Sequence, residues 1–330
     1  MKAKLRKILP YAGYPAFYLF CLVIFAYFTF PYEMLRDRIV AEYERSRGSS
    51  TTGETQRLDI ESIEPYWLSG IRAVGIRLVT TKPPANPDEK PKRSALDIDE
   101  AYARVQLLPL LLGRTSVSFG ADLFGGTVEG VFARTGSEER LKAELSGLDL
   151  AFLTPFLPAS ALPMGGILEG KVDFVLPERK LQKANGLVDL TIYDSYVGDG
   201  KAKIQGALAL PRMNLGDLVL TAEANEGVLK LEKVAASGRD LDFSMEGKLS
   251  LRDPFAESIY DMQLRFKLAD SYRTRNEVTK SLFGSPDSKV PPLFEMDPKV
   301  KQSKRADGFY SWQISGLFRA PQLLPAPLRR

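Results

Sequence analysis

The chain has 330 residues, 44% hydrophobic and 26% charged, a composition ordinary for a folded protein of one or two domains. It has no histidine and a single cysteine, Cys21, which excludes an intramolecular disulfide, a histidine-dependent catalytic triad and a histidine-containing zinc site. The net charge of +4 comes from Lys2, Lys4, Arg6 and Lys7; the rest balances 41 basic against 41 acidic residues, so the isoelectric point near 8.9 does not mark a nucleic-acid-binding surface.

Residues 8–32 (ILPYAGYPAFYLFCLVIFAYFTFPY) carry no charge. A membrane-crossing helix needs about 20 mostly apolar residues, so this stretch predicts a transmembrane anchor. Pro10, Pro15 and Pro31 lie toward its ends, and Tyr11, Tyr14 and Tyr32 are placed for the two headgroup levels. The basic residues before it predict a cytoplasmic N-terminus and a far-side exit. A cleaved signal peptide is the alternative; FPYEMLRDR offers no small-x-small cleavage site, so residues 1–32 are expected to stay as tail and anchor. Cys21 inside the span reads as an apolar filler.

Residues 33–56 predict a helical extension with mixed charges, then a flexible linker at GSSTTG, 48–53. From 57 to 320 the period becomes two, predicting a β-rich domain beyond the membrane. Leu58, Ile60 and Ile63 belong to a first strand and 71–79 to a second; 81–94, with four prolines, is expected to be an exposed loop. Residues 96–107 resume as a strand, followed by a short turn and a hairpin or pair of strands across LFGGTVEGVF, 123–132. In 260–268, Tyr260, Met262, Leu264, Phe266 and Leu268 alternate with Asp261, Gln263, Arg265 and Lys267, the pattern of a sheet with one buried and one wet face. Residues 271–308 are polar and proline-punctuated and predict a long irregular insertion; 312–318 is expected to end the fold, leaving 321–330 as a tail.

Five segments repeat one pattern: TVEGVF (127–132), ILEGKV (167–172), KIQGAL (203–208), SMEGKL (244–249) and QISGLF (313–318). Their glycines are Gly130, Gly170, Gly206, Gly247 and Gly316, at spacings of 40, 36, 41 and 69. The period suggests recurring supersecondary units. By alternation the glycines fall on the apolar side, where a glycine marks a bend, bulge or close approach. The fold expected is therefore mainly β: one N-terminal transmembrane helix, then a repeated, curved antiparallel sheet forming an open groove or half-barrel, with a few short helices. A plain sandwich or barrel is the alternative. The expected groove lining is Leu168, Val172, Phe174, Phe243, Met245, Leu249, Met262, Leu264 and Phe266.

No catalytic, cofactor or metal constellation is legible. GxSxG, GxxxxGK[ST], HExxH and CxxC are missing, and GDGK (198–201) reads as a hairpin turn. Glu129, Glu169 and Glu246 fall on the wet side of their strands, and KVKQSKR (299–305) reads as a solvated loop. These readings predict a protein that is not an enzyme, with no cofactor and no nucleic-acid partner.

The layout of IEPYWLSGIRAVGIRLV, LLPLLLGRTSVSFGADLFGGTVEGVF and LSGLDLAFLTPFLPASALPMGGILEGKVDFVLP, behind a membrane anchor, resembles the type II secretion system protein N family, which shares features with AsmA-type proteins. The resemblance spans residues 10–320; Pro109–Gly113 and the pairs Gly125–Gly126 and Gly165–Gly166 carry most of it, and 271–308 has no counterpart. It implies a single-pass inner-membrane protein with its bulk in the periplasm, working with other secretion-system envelope proteins. The AsmA-type kinship implies instead, or in addition, a lipid-binding or lipid-transfer groove for phospholipid or lipopolysaccharide acyl chains.

Overall fold

A computed structural model describes residues 14–15, 17–18, 21–22, 24–25, 27, 29–47, 55–82, 92–156, 163–200, 203–204, 208–209, 211–285 and 291–326. The chain divides into two compact units, 1–107 and 108–330. It is mainly β, antiparallel throughout, with few helices.

In the first unit, helix α1 (Tyr32–Arg47) precedes strands β1 (Thr55–Tyr66), β2 (Gly70–Lys82) and β3 (Lys92–Val105), which pair in order. Alternation puts Leu58 and Ile60 opposite Leu78 and Ile76, and these opposite Leu96 and Ile98, while Arg77 bonds Asp97 on the other face at 2.6 Å. Helix α1 lies along β1: Tyr43 donates to Gln56 at 2.9 Å and Arg36 to the Glu61 carbonyl at 3.4 Å. The strands run further than the sequence suggested, β2 to Lys82 and β3 from Lys92, so the loop read at 81–94 is shorter at both ends. The linker at 48–53 lies outside the described residues, as do 12 of the 25 residues of the expected anchor, 8–32. Its described positions, from Tyr14 to Thr29, are helical, and Tyr14, Phe17, Tyr18, Leu22 and Phe25 are strongly exposed. Among the described residues no helix is long and apolar enough to cross a membrane.

The second unit opens with the five-residue helix α2 (Leu107–Leu111, which begins on the last residue of the first unit). An eleven-stranded sheet follows: β4 (Thr115–Leu123), β5 (Gly126–Thr135), β6 (Glu138–Asp149), β7 (Met164–Leu176), β8 (Asn185–Val197), β11 (Met213–Asn225), β12 (Val228–Ser237), β13 (Leu241–Ser250), β14 (Ile259–Leu268), β15 (Tyr310–Leu317) and β16 (Ala320–Pro325). Each strand pairs with the next; only β9 (Lys203–Ile204) and β10 (Leu208–Ala209) leave the sheet and pair with each other. Ile204 faces Leu208, so KIQGAL is not the single strand its alternation suggested, and Gly206 lies outside the described residues.

Pairing continues across all eleven strands, with register shifts in the pairs β6–β7, β7–β8, β8–β11, β11–β12 and β12–β13. One row reads Phe119, Gly130, Ala143, Val172, Val188, Ala222, Leu231, Gly247, Met262, Ile314, Leu323. The row beside it on the other face includes Lys142, Asp173, Glu223, Lys230, Lys248 and Asp261. A one-residue slip would exchange the two faces, so burial of the apolar rows holds the register.

Two regions depart from the sequence reading. The described residues of 271–308 are not irregular: α3 (Asp270–Arg273), α4 (Glu277–Phe283) and α5 (Pro298–Ser303), with a 3-10 turn at Leu293–Glu295, carry buried Tyr272, Thr279, Val300 and Ser303. Asn276 and Thr279 form a capping box that starts α4. The segment 321–325 is not tail but most of β16; its prolines are compatible with a strand because it stands at the sheet's edge.

Candidate apolar binding face

Leu168, Val172, Phe174, Phe243, Met245, Leu249, Met262, Leu264 and Phe266 all share the apolar face. Phe243 pairs with Phe266 and Met245 with Leu264; Leu168, Val172 and Phe174 reach the same rows through β8, β11 and β12. Glu129, Glu169 and Glu246 fall on the opposite face, as alternation requires.

Two glycines of the repeat have a common geometry. Leu145 faces Gly170 and Leu148 faces Leu168, so Ser146 and Gly147 together oppose Glu169. Leu231 faces Gly247 and Val234 faces Met245, so Glu232 and Lys233 together oppose Glu246. Each is a bulge of two residues against one, which bends the strand and increases its twist. Beside it, Gly170 has φ +146° and Gly247 φ +132°, values that disfavour any side chain. A Cβ on Gly247 would lie 2.3 Å from the Asp261 carbonyl oxygen, and one on Gly170 2.1 Å from that of Asp189. Gly316 has φ +93°, whereas Gly130 has no positive φ, and no register shift accompanies either. The glycines were read as marking a bend, bulge or close approach, but not that the extra residues stand on the neighbouring strands; that signal is also in the sequence, where apolar positions run 229, 231, then 234, 236, and 141, 143, 145, then 148.

Both ends of the apolar face are closed around β11–β14. At one end Ala184, Leu249, Leu251 and Met262 are buried together with Phe174 and Leu181 packed on them. The Gly227 N–H bonds the Ala184 carbonyl at 2.9 Å, and the Leu251 N–H bonds that of Gly227 at 2.7 Å. At the other end Met213, Leu215, Ala236, Leu241, Leu268 and Tyr272 form a second core, with Phe243, Phe266 and Phe283 against it. The insertion adds Phe294, stacked on Trp312 at 6.3 Å and edge-on to Tyr310 at 5.2 Å.

A buried polar knot ties the insertion down. Asp240, fully buried, accepts from the Asn214 N–H at 2.9 Å and from Arg275, which also donates to the Arg212 carbonyl at 2.8 Å. Burial alone would raise the Asp240 carboxyl; the Asn214 N–H, Arg275 and Arg239 outweigh it and hold it below its ordinary value. Burial pushes the Tyr272 hydroxyl up to about 12, and that hydroxyl donates to the Pro211 carbonyl at 2.9 Å. These groups serve attachment; no nucleophile or acid–base pair is arranged among them.

Across β4–β8 no such cover lies on the apolar face among the described residues. Except for Leu148, its side chains, from Val117 and Phe119 to Val188, Leu190 and Ile192, are all only half-buried. A sheet with an apolar face must bury it against another layer or a partner. A cavity of about 1010 Å³ lies over the opposite, polar face, lined by Lys230, Glu246, Lys248, Asp261, Gln263, Arg305 and Gln313 among others. Two pairs of its charges meet, Lys230 with Glu232 at 2.8 Å and Lys248 with Asp261 at 4.0 Å.

Comparison of the chain with family models, curated proteins and solved structures gives no match.

Proposed function

We propose that this chain is a non-enzymatic component of a type II secretion system, held to the inner membrane by residues 1–32, and that the apolar face of its sheet is its working surface in the periplasm. The observation that carries the proposal is the apolar row that runs from β4 to β16, with mostly half-buried side chains on that face over β4–β8. The bulges beside Gly170 and Gly247 support the curved, groove-like form of that face. The helical, outward-facing apolar residues between Tyr14 and Phe25 support the anchor. The assignment to secretion rests on the resemblance of the sequence.

A second reading, compatible with the first, is an AsmA-like lipid-binding or lipid-transfer module. The half-exposed rows at Val188, Leu190 and Ile192 favour it, because acyl chains would complete their burial at about 25 cal/mol per Å² removed from water. Mass spectrometry of the full chain, gently extracted from its own membrane, tests both readings. Co-purified secretion proteins, together with loss of secretion on deletion, support the first; bound phospholipid or lipopolysaccharide supports the second. Normal secretion after deletion overturns the first, and a lipid-free chain overturns the second.

A further inference from the structure

The β1–β2 turn of the first unit holds two large apolar side chains out from the sheet: Trp67 and Leu68 are each 66% exposed. A tight turn cannot bury such groups within itself, and adjacent large exposed apolar side chains mark a contact surface.

Three observations name the occupant. First, the Tyr27 hydroxyl donates to the Trp67 carbonyl, tying the turn to the last part of the N-terminal apolar helix. Second, the turn and the end of β3 are joined: the Val105 N–H bonds the Ser69 carbonyl at 3.1 Å and Ser69 Oγ bonds the Val105 carbonyl at 2.6 Å. Third, the Arg104 guanidinium lies over the Trp67 ring, 5.4 Å from its centroid. A tryptophan with a cation beside it, next to the exit of an apolar helix, has the chemistry of the bilayer's headgroup level.

We infer that the Trp67–Leu68 turn sits in the interfacial layer of the membrane that holds the anchor. The inference rests on the anchor reading above.

The test uses the full chain in phosphatidylethanolamine–phosphatidylglycerol vesicles that contain lipid brominated near the headgroup end of its acyl chains. The chain has two tryptophans, so Trp312→Phe leaves Trp67 alone; the Trp312 indole N–H has no hydrogen bond to lose. Strong quenching of Trp67 by the shallow bromolipid, weaker quenching by lipid brominated near the chain end, and protection from aqueous acrylamide are expected. The same result is expected for a sole tryptophan placed by Leu68→Trp in a Trp67→Phe, Trp312→Phe chain. If the Trp312→Phe chain does not fold, the difference between wild type and Trp67→Phe reads the same quantity. Acrylamide access without bromolipid quenching at either position, in a chain that alkaline carbonate does not extract, overturns the inference and assigns the patch to a protein partner. Carbonate extraction overturns the anchor reading and the inference with it.

Discussion

Gly170 and Gly247 each follow a glutamate that faces two residues of the preceding strand, and each has a φ that an L side chain avoids. Strand propensity alone predicts a gain of up to ~1 kcal/mol from valine. Backbone strain predicts a loss of about 1–3 kcal/mol, before the overlap with the Asp261 carbonyl is added. Gly247→Val is therefore expected to lower the midpoint of urea unfolding; a raised midpoint would mean that the bulge does not need the glycine. Asp240 makes a second residue-scale prediction. Its carboxyl is held below the ordinary value, so the stability it contributes is complete above the unfolded pKa of ~3.9 and is lost as pH falls through the folded value. Stability should drop on acidification below about pH 4. Asp240→Asn breaks a buried pair, with an expected cost of about 3–5 kcal/mol, and should flatten that slope. Some slope should remain, because Glu295, bonded by Lys304 and Tyr310, is lowered too. Denaturant titrations of both chains across this range measure it; parallel slopes would contradict the role given to Asp240.

At the scale of elements, the sequence was most legible where alternation and turn chemistry agreed. Tyr260–Leu268 lies within β14 with the expected faces, and Phe124–Gly125 turns the β4–β5 hairpin. Helix α1 fell where a helical extension with mixed charges was expected. The insertion was not legible because distant partners hold it: Arg275 meets Asp240, and Phe294 meets Trp312. Local composition contains neither contact. Strand β16 was hidden by its own prolines. The Ala326 N–H bonds the Ser311 carbonyl at 3.0 Å, so by antiparallel alternation the even-numbered residues aim their N–H groups at β15 and Pro321 and Pro325 face outward. Along that outer row only Leu323 keeps an N–H. Edge prolines of this kind deter strand addition. Replacing Pro321 and Pro325 by valine is expected to produce concentration-dependent association in sedimentation velocity, while the wild-type edge does not associate. An unchanged sedimentation coefficient would show that the edge is protected by something else.

At the scale of the whole molecule, the face was legible and its surroundings were not. All nine apolar residues picked by alternation share one side of the sheet, because side-chain period and register are both set by burial. Alternation cannot say what covers a face. Over β11–β14 the loops and the insertion cover it, and over β4–β8 the apolar side chains stay half-buried. The polar cavity beside β12–β16 was likewise beyond sequence reasoning, since its lining converges from five strands and Arg305. Contact of the apolar face with acyl chains is tested most directly by a photo-crosslinking phenylalanine placed at Leu190 and, in a separate chain, at neighbouring Asp189, irradiated in intact cells. Leu190 is on the apolar face and half-buried; Asp189 is exposed on the polar one. Adducts of lipid mass are expected at position 190 and not at 189. Absence of lipid at 190, or equal capture at both positions, would contradict the assignment.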